Sequence, residues 1–384
     1  MTPRTSILEG RSMWVVAVLA VFAYAAVHLT ITSGSMFYHD EWAYLCGRSL
    51  VDIASWLRPH NEHFVLLHVV GYRLLVDAFG LGSYVPYQLA LIGTHVAVAS
   101  AVFVLTDRHA GRRAAAAAGV LMLFLGSGAL NLFWAFQIGM VGAAALGLWA
   151  LVLLPGRPAG AALVLTAAVA TSGVGLVYVI AAGAYLAAAG RLRSTVWLLI
   201  PVLAYGTWAL TMRASVDPRA EFSLVAMVVF LVGGIAYATA GVMGLGLPSA
   251  AIGAVGLLAS RPTAWRSPLV VGCALALIAQ FAIIGSVRQE VSWPGASHYV
   301  YVGSTFVILV GATLLASARR PRIGGVLFTI AITANVIAFL YYGLAWPSHT
   351  ERHNLAGEGH PSADACYETP SLAELKRLAG VDGE

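Results

Sequence analysis

Long apolar runs separated by short polar turns make up most of this chain. A helix needs about 20 apolar residues to cross a bilayer. Eleven runs are read as spans: Met13–Ser33, Tyr84–Leu105, Ala114–Leu130, Ile138–Leu154, Ala159–Thr171, Val174–Ala189, Thr195–Met212, Gly241–Ser260, Pro268–Gly285, Tyr299–Ser317 and Gly324–Trp346. Two other apolar runs fit less simply. Phe64–Phe79 carries Arg73 and Asp77 one turn apart, and counting Glu221–Ala240 as a full span would invert every later loop. Both are read as interfacial or re-entrant helices on the outer side. The expected fold is therefore an all-α polytopic membrane bundle of about eleven transmembrane helices over residues 1–346. Interfacial helices are expected in the first outer loop, 34–83, and residues 347–384 are expected to form a short polar extracytoplasmic tail. In that tail Ser371-Leu372-Ala373-Glu374 is a capping box, which predicts a short helix to Leu378.

Arginines set the orientation. The segments Arg4, Arg11, Arg108, Arg112, Arg113, Arg157, Arg191, Arg193, Arg261, Arg266, Arg319, Arg320 and Arg322 fall on one side, with only Glu9 and Asp107 as acids. Basic residues favour the cytoplasmic side. The expected location is a plasma membrane, with the N-terminus cytoplasmic and the C-terminus extracytoplasmic. The first run lacks an A-x-A-type cleavage site and is read as a retained helix.

Composition agrees: 59% of the 384 residues are hydrophobic and 10% charged, where a soluble domain carries about 25% charged residues. The net charge of +5 does not point to nucleic acid, because the arginines sit in short loops with no interleaved aromatics. Arg outnumbers Lys 21 to one, and Ala and Gly abound, which suggests a high-G+C genome, a statement about codons. Cys273 lies in an apolar run and reads as a packing residue. Cys46 and Cys366 both fall on the outer side, but spacing alone does not establish a disulfide.

The candidate chemistry is concentrated in the first outer loop. Asp40 and Glu41 follow the first span directly, and carboxylates beside a bilayer are costly enough to need a reason. Adjacent residues of an extended segment face opposite ways, so at most one enters a given cleft. The functional reading is a general base for an acceptor hydroxyl, with a pKa raised toward neutrality by partial burial. Against it stands a solvated helix terminus. Next comes His60-Asn61-Glu62-His63, with two imidazoles and a carboxylate in one turn. A divalent-cation site with Asp40 is one reading, although H-x-x-H is not the i,i+4 spacing of H-E-x-x-H. Contact with a donor phosphate or an acceptor is another, and a plain loop entering an interfacial helix is the third. His68 and His95 lie on apolar faces and read as satisfied core histidines. Further on, Arg288 is placed to grip a phosphate, with Ser297-His298-Tyr299 nearby. The aromatic turn Asn131–Gln137 reads as an interfacial belt. The glycines of Thr171-Ser172-Gly173-Val174-Gly175 read as structural. No phosphate-binding P-loop appears.

These features resemble the GT-C membrane glycosyltransferases, a superfamily that includes protein O-mannosyltransferases and lipid-A aminoarabinose transferases. The likeness rests on four elements: Asp40-Glu41 after the first span, His60-Asn61-Glu62-His63-Phe64 leading into an interfacial helix, the basic turn Asp107-Arg108-His109-Ala110-Gly111-Arg112-Arg113, and Ser297-His298-Tyr299 before a late span. It covers about the first 200 residues well and the rest loosely. Two departures stand out: the usual His-Pro-Pro is His60-Asn61-Glu62, and the usual Arg of the late motif is His298. The resemblance implies a polyprenyl-phosphate-linked sugar as donor, a glycan, lipid or protein as acceptor, and membrane lipids as surroundings. Asp40 is then the first choice for base and Glu41 the second, with His60, Glu62, His63, Arg288, His298 and Tyr299 contacting substrate. The rival readings are a transporter or flippase of lipid-linked saccharides, and an inactive relative acting as an assembly partner.

Overall fold

The computed structural model describes residues 18–60, 63–212, 223–258, 260–288, 292–318 and 321–355. Within them, the regular structure is helical, with one isolated bridge between His60 and His63. Eight helices are long and apolar enough to cross a membrane, and three shorter apolar helices accompany them, Val18–Ile31 (α1), Pro158–Thr171 (α9) and Gly175–Ala188 (α10). The chain is a multi-pass membrane protein by length and composition of its helices.

The loop between α1 and α5 folds into three short pieces, α2 (Glu41–Gly47), α3 (Ile53–Leu57) and α4 (Leu66–Phe79). Asp52 caps α3 by accepting from Ala54 N at 3.0 Å. Arg48 is buried and donates to the carbonyls of Ser55, Arg58 and Pro59, which gathers the loop around one guanidinium. The loop is also pinned from outside, because Trp208 Nε1 donates to Leu57 O at 2.8 Å and stacks on Phe64. The apolar run 64–79 is thus a short helix that packs on α9, with Arg73 buried and its Nη2 3.6 Å from Asp77 Oδ1.

Next come α5 (Val85–Ala110), which carries its last turn through the basic residues Arg108 and His109, α6 (Arg112–Leu123), α7 (Ala129–Phe133), α8 (Ile138–Leu153), α9 and α10. Arg108 donates to Val152 O at 2.6 Å and Arg191 donates to Pro155 O, so the arginine turns gather at one end of the bundle. The later helices are α11 (Leu199–Met212), α12 (Leu224–Met243), α13 (Ser249–Leu258), α14 (Pro268–Arg288), α15 (Ser297–Ala316) and α16 (Pro321–Leu355). Of these, α15 is buried along nearly its whole length and forms the axis of the second half. Gly234 of α12 and Gly303 of α15 both face the ring of Phe281, where a Cβ has no room. Small residues of this kind let helices approach closely in a bilayer.

Three expectations need correction. Glu221–Ala240 is not re-entrant, because α12 is an apolar helix of 20 residues, capped by Ser223 accepting from Ala226 N. Gly241–Ser260 is not a span, because Gly244 and Gly246 take left-handed conformations (φ 70° and 78°) and break the run before a ten-residue α13. Each assignment crosses the bundle once, so the later loops keep their sides. Finally, the last helix does not stop at Trp346 but continues through Pro347 to Leu355. Glu62, Cys366 and the capping box at 371–374 lie outside the described residues.

Candidate active site

The carboxylate pair sits on a sharp turn. Tyr38 N donates to Glu41 Oε2 at 2.9 Å, and His39 takes φ 53°, a left-handed conformation that is uncommon without glycine. Such conformations gather at functional sites. The turn sends the two carboxylates in opposite directions. Glu41 is fully buried, accepting from Tyr72 OH and from Tyr84 OH at 2.9 Å. Tyr84 OH in turn accepts from Ala135 N at 3.0 Å. Glu41 thus ties α2, α4, the start of α5 and the 134–137 turn together. Burial pushes its carboxyl up to about 7, against the pull of those hydrogen bonds.

Asp40 faces the other way, into an open cavity of about 410 Å³. Its Oδ1 lies 3.0 Å from His39 Nδ1 and its Oδ2 3.7 Å from His60 Nε2. Burial raises this carboxyl, but the two imidazoles outweigh it and hold it well below the usual carboxylate range. The expected upward shift is therefore wrong for Asp40; the raised carboxyl is Glu41, the one sealed from the cavity. A burial argument alone misses the imidazoles that the loop delivers.

His60 and His63 are brought together by reciprocal backbone bonds, His60 N to His63 O at 3.2 Å and His63 N to His60 O at 2.9 Å. Residues paired this way project from the same face, and both imidazoles line the cavity. Gly173, read as structural, has a specific job: a Cβ there would stand 2.5 Å from His63 Nδ1. The opposite side is supplied by α14 and α15, whose Arg288, His298 and Tyr299 also line the cavity. Ser297 fixes that side by donating to Ser127 O at 3.1 Å and accepting from Leu130 N at 3.2 Å. Tyr299 OH accepts from Ser292 Oγ at 3.2 Å. Asp40, His60, His63, Arg288, His298 and Tyr299 thus share one cavity.

Other lining residues were read differently or passed over. His68 is not only a core histidine: it borders the cavity, with Nδ1 3.2 Å from Tyr44 OH, and burial lowers its pKa to about 3. His95, by contrast, is a satisfied core residue, 2.8 Å from Tyr301 OH and 3.1 Å from Leu123 O. Trp134, Phe136 and Gln137, read as part of an interfacial belt, border the cavity. His349 and His353, on the extension of α16, also line it. Their i,i+4 spacing just after Trp346 was the available signal. Among the described residues no three metal-binding side chains are grouped to hold an ion.

No family model matches the sequence, and no curated protein matches it. Two solved structures are similar to it. ArnT from Cupriavidus metallidurans in the apo state aligns over 91% of this chain and 80% of its own, with a TM-score of 0.59 and 15% identity. The same protein bound to undecaprenyl phosphate aligns over 82% of this chain and 62% of its own, with a TM-score of 0.53 and 18% identity. The chain therefore shares its fold with ArnT over most of its length.

Proposed function

We propose that this protein is an integral membrane glycosyltransferase. It moves a sugar from a polyprenyl-phosphate donor to an acceptor on the outer face of the plasma membrane. One observation carries the reading: a carboxylate held in its ionised form and a cation held by α14 line the same cavity. The fold adds weight, since a protein similar in shape was solved with undecaprenyl phosphate bound. The outward orientation rests on the arginine asymmetry between the two ends.

In the proposed reaction an acceptor hydroxyl oxygen attacks the anomeric carbon. The bond from that carbon to the phosphate oxygen breaks, and its electron pair leaves with the polyprenyl phosphate. The acceptor proton passes to Asp40, and one displacement inverts the anomeric configuration. A low carboxyl pKa suits this task. The hydroxyl becomes strongly acidic only as the new C–O bond forms, so a weak base that is always ionised can take its proton late. His39 and His60 hold the Asp40 carboxylate in place. Arg288 balances charge on the phosphate, assisted by His63, His298 and Tyr299. Asp40 is the base in this reading and Glu41 is not, because Glu41 has no face on the cavity. A divalent cation in this cavity would have Asp40, His39 and His60 as candidate ligands.

The test is sugar transfer by purified protein in lipid nanodiscs, using a panel of radiolabelled polyprenyl-phosphate sugars. The expected result is transfer with release of polyprenyl phosphate. Arg288→Ala should raise the donor KM about ten- to hundredfold, the effect of losing a charge-assisted hydrogen bond. Movement of an intact lipid-linked saccharide across the bilayer, with no sugar transferred, would contradict the reading.

A further inference from the structure

Residues 130–137 run along the cavity between the two groups that the proposed reaction needs. At one end Leu130 N donates to Ser297 Oγ at 3.2 Å, next in sequence to His298 and Tyr299. At the other end the ring of Trp134 lies 5.9 Å from that of His39, and the ring of Phe136 lies 5.5 Å from that of His60. His39 and His60 are the two histidines that hold Asp40. The start of α5 fixes the segment in place: Gln88 Nε2 donates to Phe133 O at 2.9 Å, and Tyr84 OH accepts from Ala135 N. Trp134 and Phe136 stack on each other, with ring centroids 5.1 Å apart and planes at 29°. Both border the cavity, as does Gln137. Asn131 Nδ2 donates to Gln137 Oε1 at 3.3 Å. That bond takes up one end of the Gln137 amide and leaves its Nε2, which has no protein partner among the described residues, to the cavity.

We propose that this segment is the platform for the donor sugar and that the sugar is uncharged. The inference rests on the glycosyltransferase reading and names the class of its donor sugar. The anomeric carbon must sit between the base that serves the acceptor and the cation that holds the phosphate. The sugar therefore lies on what joins Asp40 to the wall of α14 and α15, and residues 130–137 join them. The chemistry of the segment is neutral. Aromatic rings carry negative faces, which suit the weakly positive C–H groups of a sugar ring. A primary amide nitrogen offers two donors, which match the lone pairs of hydroxyl and ring oxygens. Charged sugars fit badly. The ammonium of an amino sugar brings only donors and would meet the donors of Gln137. Asp40 is the one carboxylate among the described lining residues, and an ammonium drawn to it would tie up the base. The carboxylate of a sugar acid would be repelled by Asp40. It would also compete with the phosphate for Arg288, the one guanidinium among the described lining residues. A charge removed from water without a partner costs more than an unpaired neutral group, so the site discriminates against both.

The experiment measures equilibrium binding of radiolabelled donors to the full chain in lipid nanodiscs, without acceptor. The probes are polyprenyl phosphates carrying mannose, glucose, glucosamine or glucuronate, together with bare polyprenyl phosphate. The mannosyl or the glucosyl donor should bind at least about tenfold more tightly than both charged donors. Gln137→Leu should weaken that neutral donor about tenfold and leave bare polyprenyl phosphate within about twofold. A loss of structure would weaken both alike. If Gln137→Leu melts earlier than wild type, Gln137→Glu carries the test: it should lower the preference for the neutral over the glucosaminyl donor about tenfold or more. An unchanged preference there would overturn the platform. So would a charged donor that binds as tightly as the neutral ones, or neutral binding that ignores Gln137. Binding of bare polyprenyl phosphate with none of the four donors bound would overturn it as well. A neutral preference that depends on Gln137, in a protein that transfers no sugar, would support the platform and remove the transferase reading instead. Binding of none of the five probes would remove both.

Discussion

Asp40 and Glu41 are neighbours in sequence with opposite surroundings, and their two environments make separate predictions. His39 and His60 hold the Asp40 carboxyl below the usual carboxylate range, against burial, which raises it. His60→Gln should let its pKa rise, so the acid limb of a pH–rate profile should move to higher pH. An unmoved limb would mean that His60 does not act on Asp40. Glu41 has the raised pKa, about 7. A carboxyl raised on folding contributes stability that is full below its unfolded pKa and is lost as pH rises through about 7. Glu41→Gln keeps the shape but cannot satisfy Tyr38 N–H and both tyrosine hydroxyls, at about 1–3 kcal/mol for a donor left unpaired. The melting temperature should fall, and the gap to wild type should shrink as pH rises from about 5 to about 8. A gap independent of pH would contradict the raised carboxyl. The opposed directions were expected of an extended segment; a turn at His39 and a helix opening at Glu41 produce them instead. The sign of the Asp40 shift was not legible, because it depends on where a turn places two imidazoles.

Helices whose ends carry a polar or glycine signal were legible, and helices cut from one continuous apolar stretch were not. The stretch from Leu224 to Leu258 has no charge, so hydropathy alone could not choose its cut. Ser223 at one end and Gly244 at the other decide it. Likewise, the last helix was ended where the apolar run ends, at Trp346. Its polar continuation is stabilised by docking on Phe37, a contact far away in sequence. The run 64–79, marked by Arg73 and Asp77, forms a helix of 14 residues. Loop positions carry their own prediction at Gly173. Gly173→Ala should push His63 aside, lower transfer activity and cost about 1–3 kcal/mol of stability through overpacking. Wild-type activity and melting temperature in that variant would show that the His63 position is not fixed by this turn.

The molecule as a whole is polarised, with its arginine turns at one end and the histidine-rich cavity at the other. The charge count of the sequence showed this asymmetry, since short loops report their side through Arg. The gathering of Asp40, His60, His63, Arg288, His298, Tyr299, His349 and His353 was only partly legible, because they lie on different elements. In intact cells, on a background without native cysteines, Val51→Cys should label from outside and Arg112→Cys should not. The reverse pattern would invert the assigned orientation. The claim at the centre remains the role of Asp40. Single-turnover sugar transfer by Asp40→Asn, measured in lipid at saturating donor, tests it most directly. The account predicts a rate lower by about 10²–10⁴-fold, with unchanged melting behaviour. Transfer at the wild-type rate would contradict it.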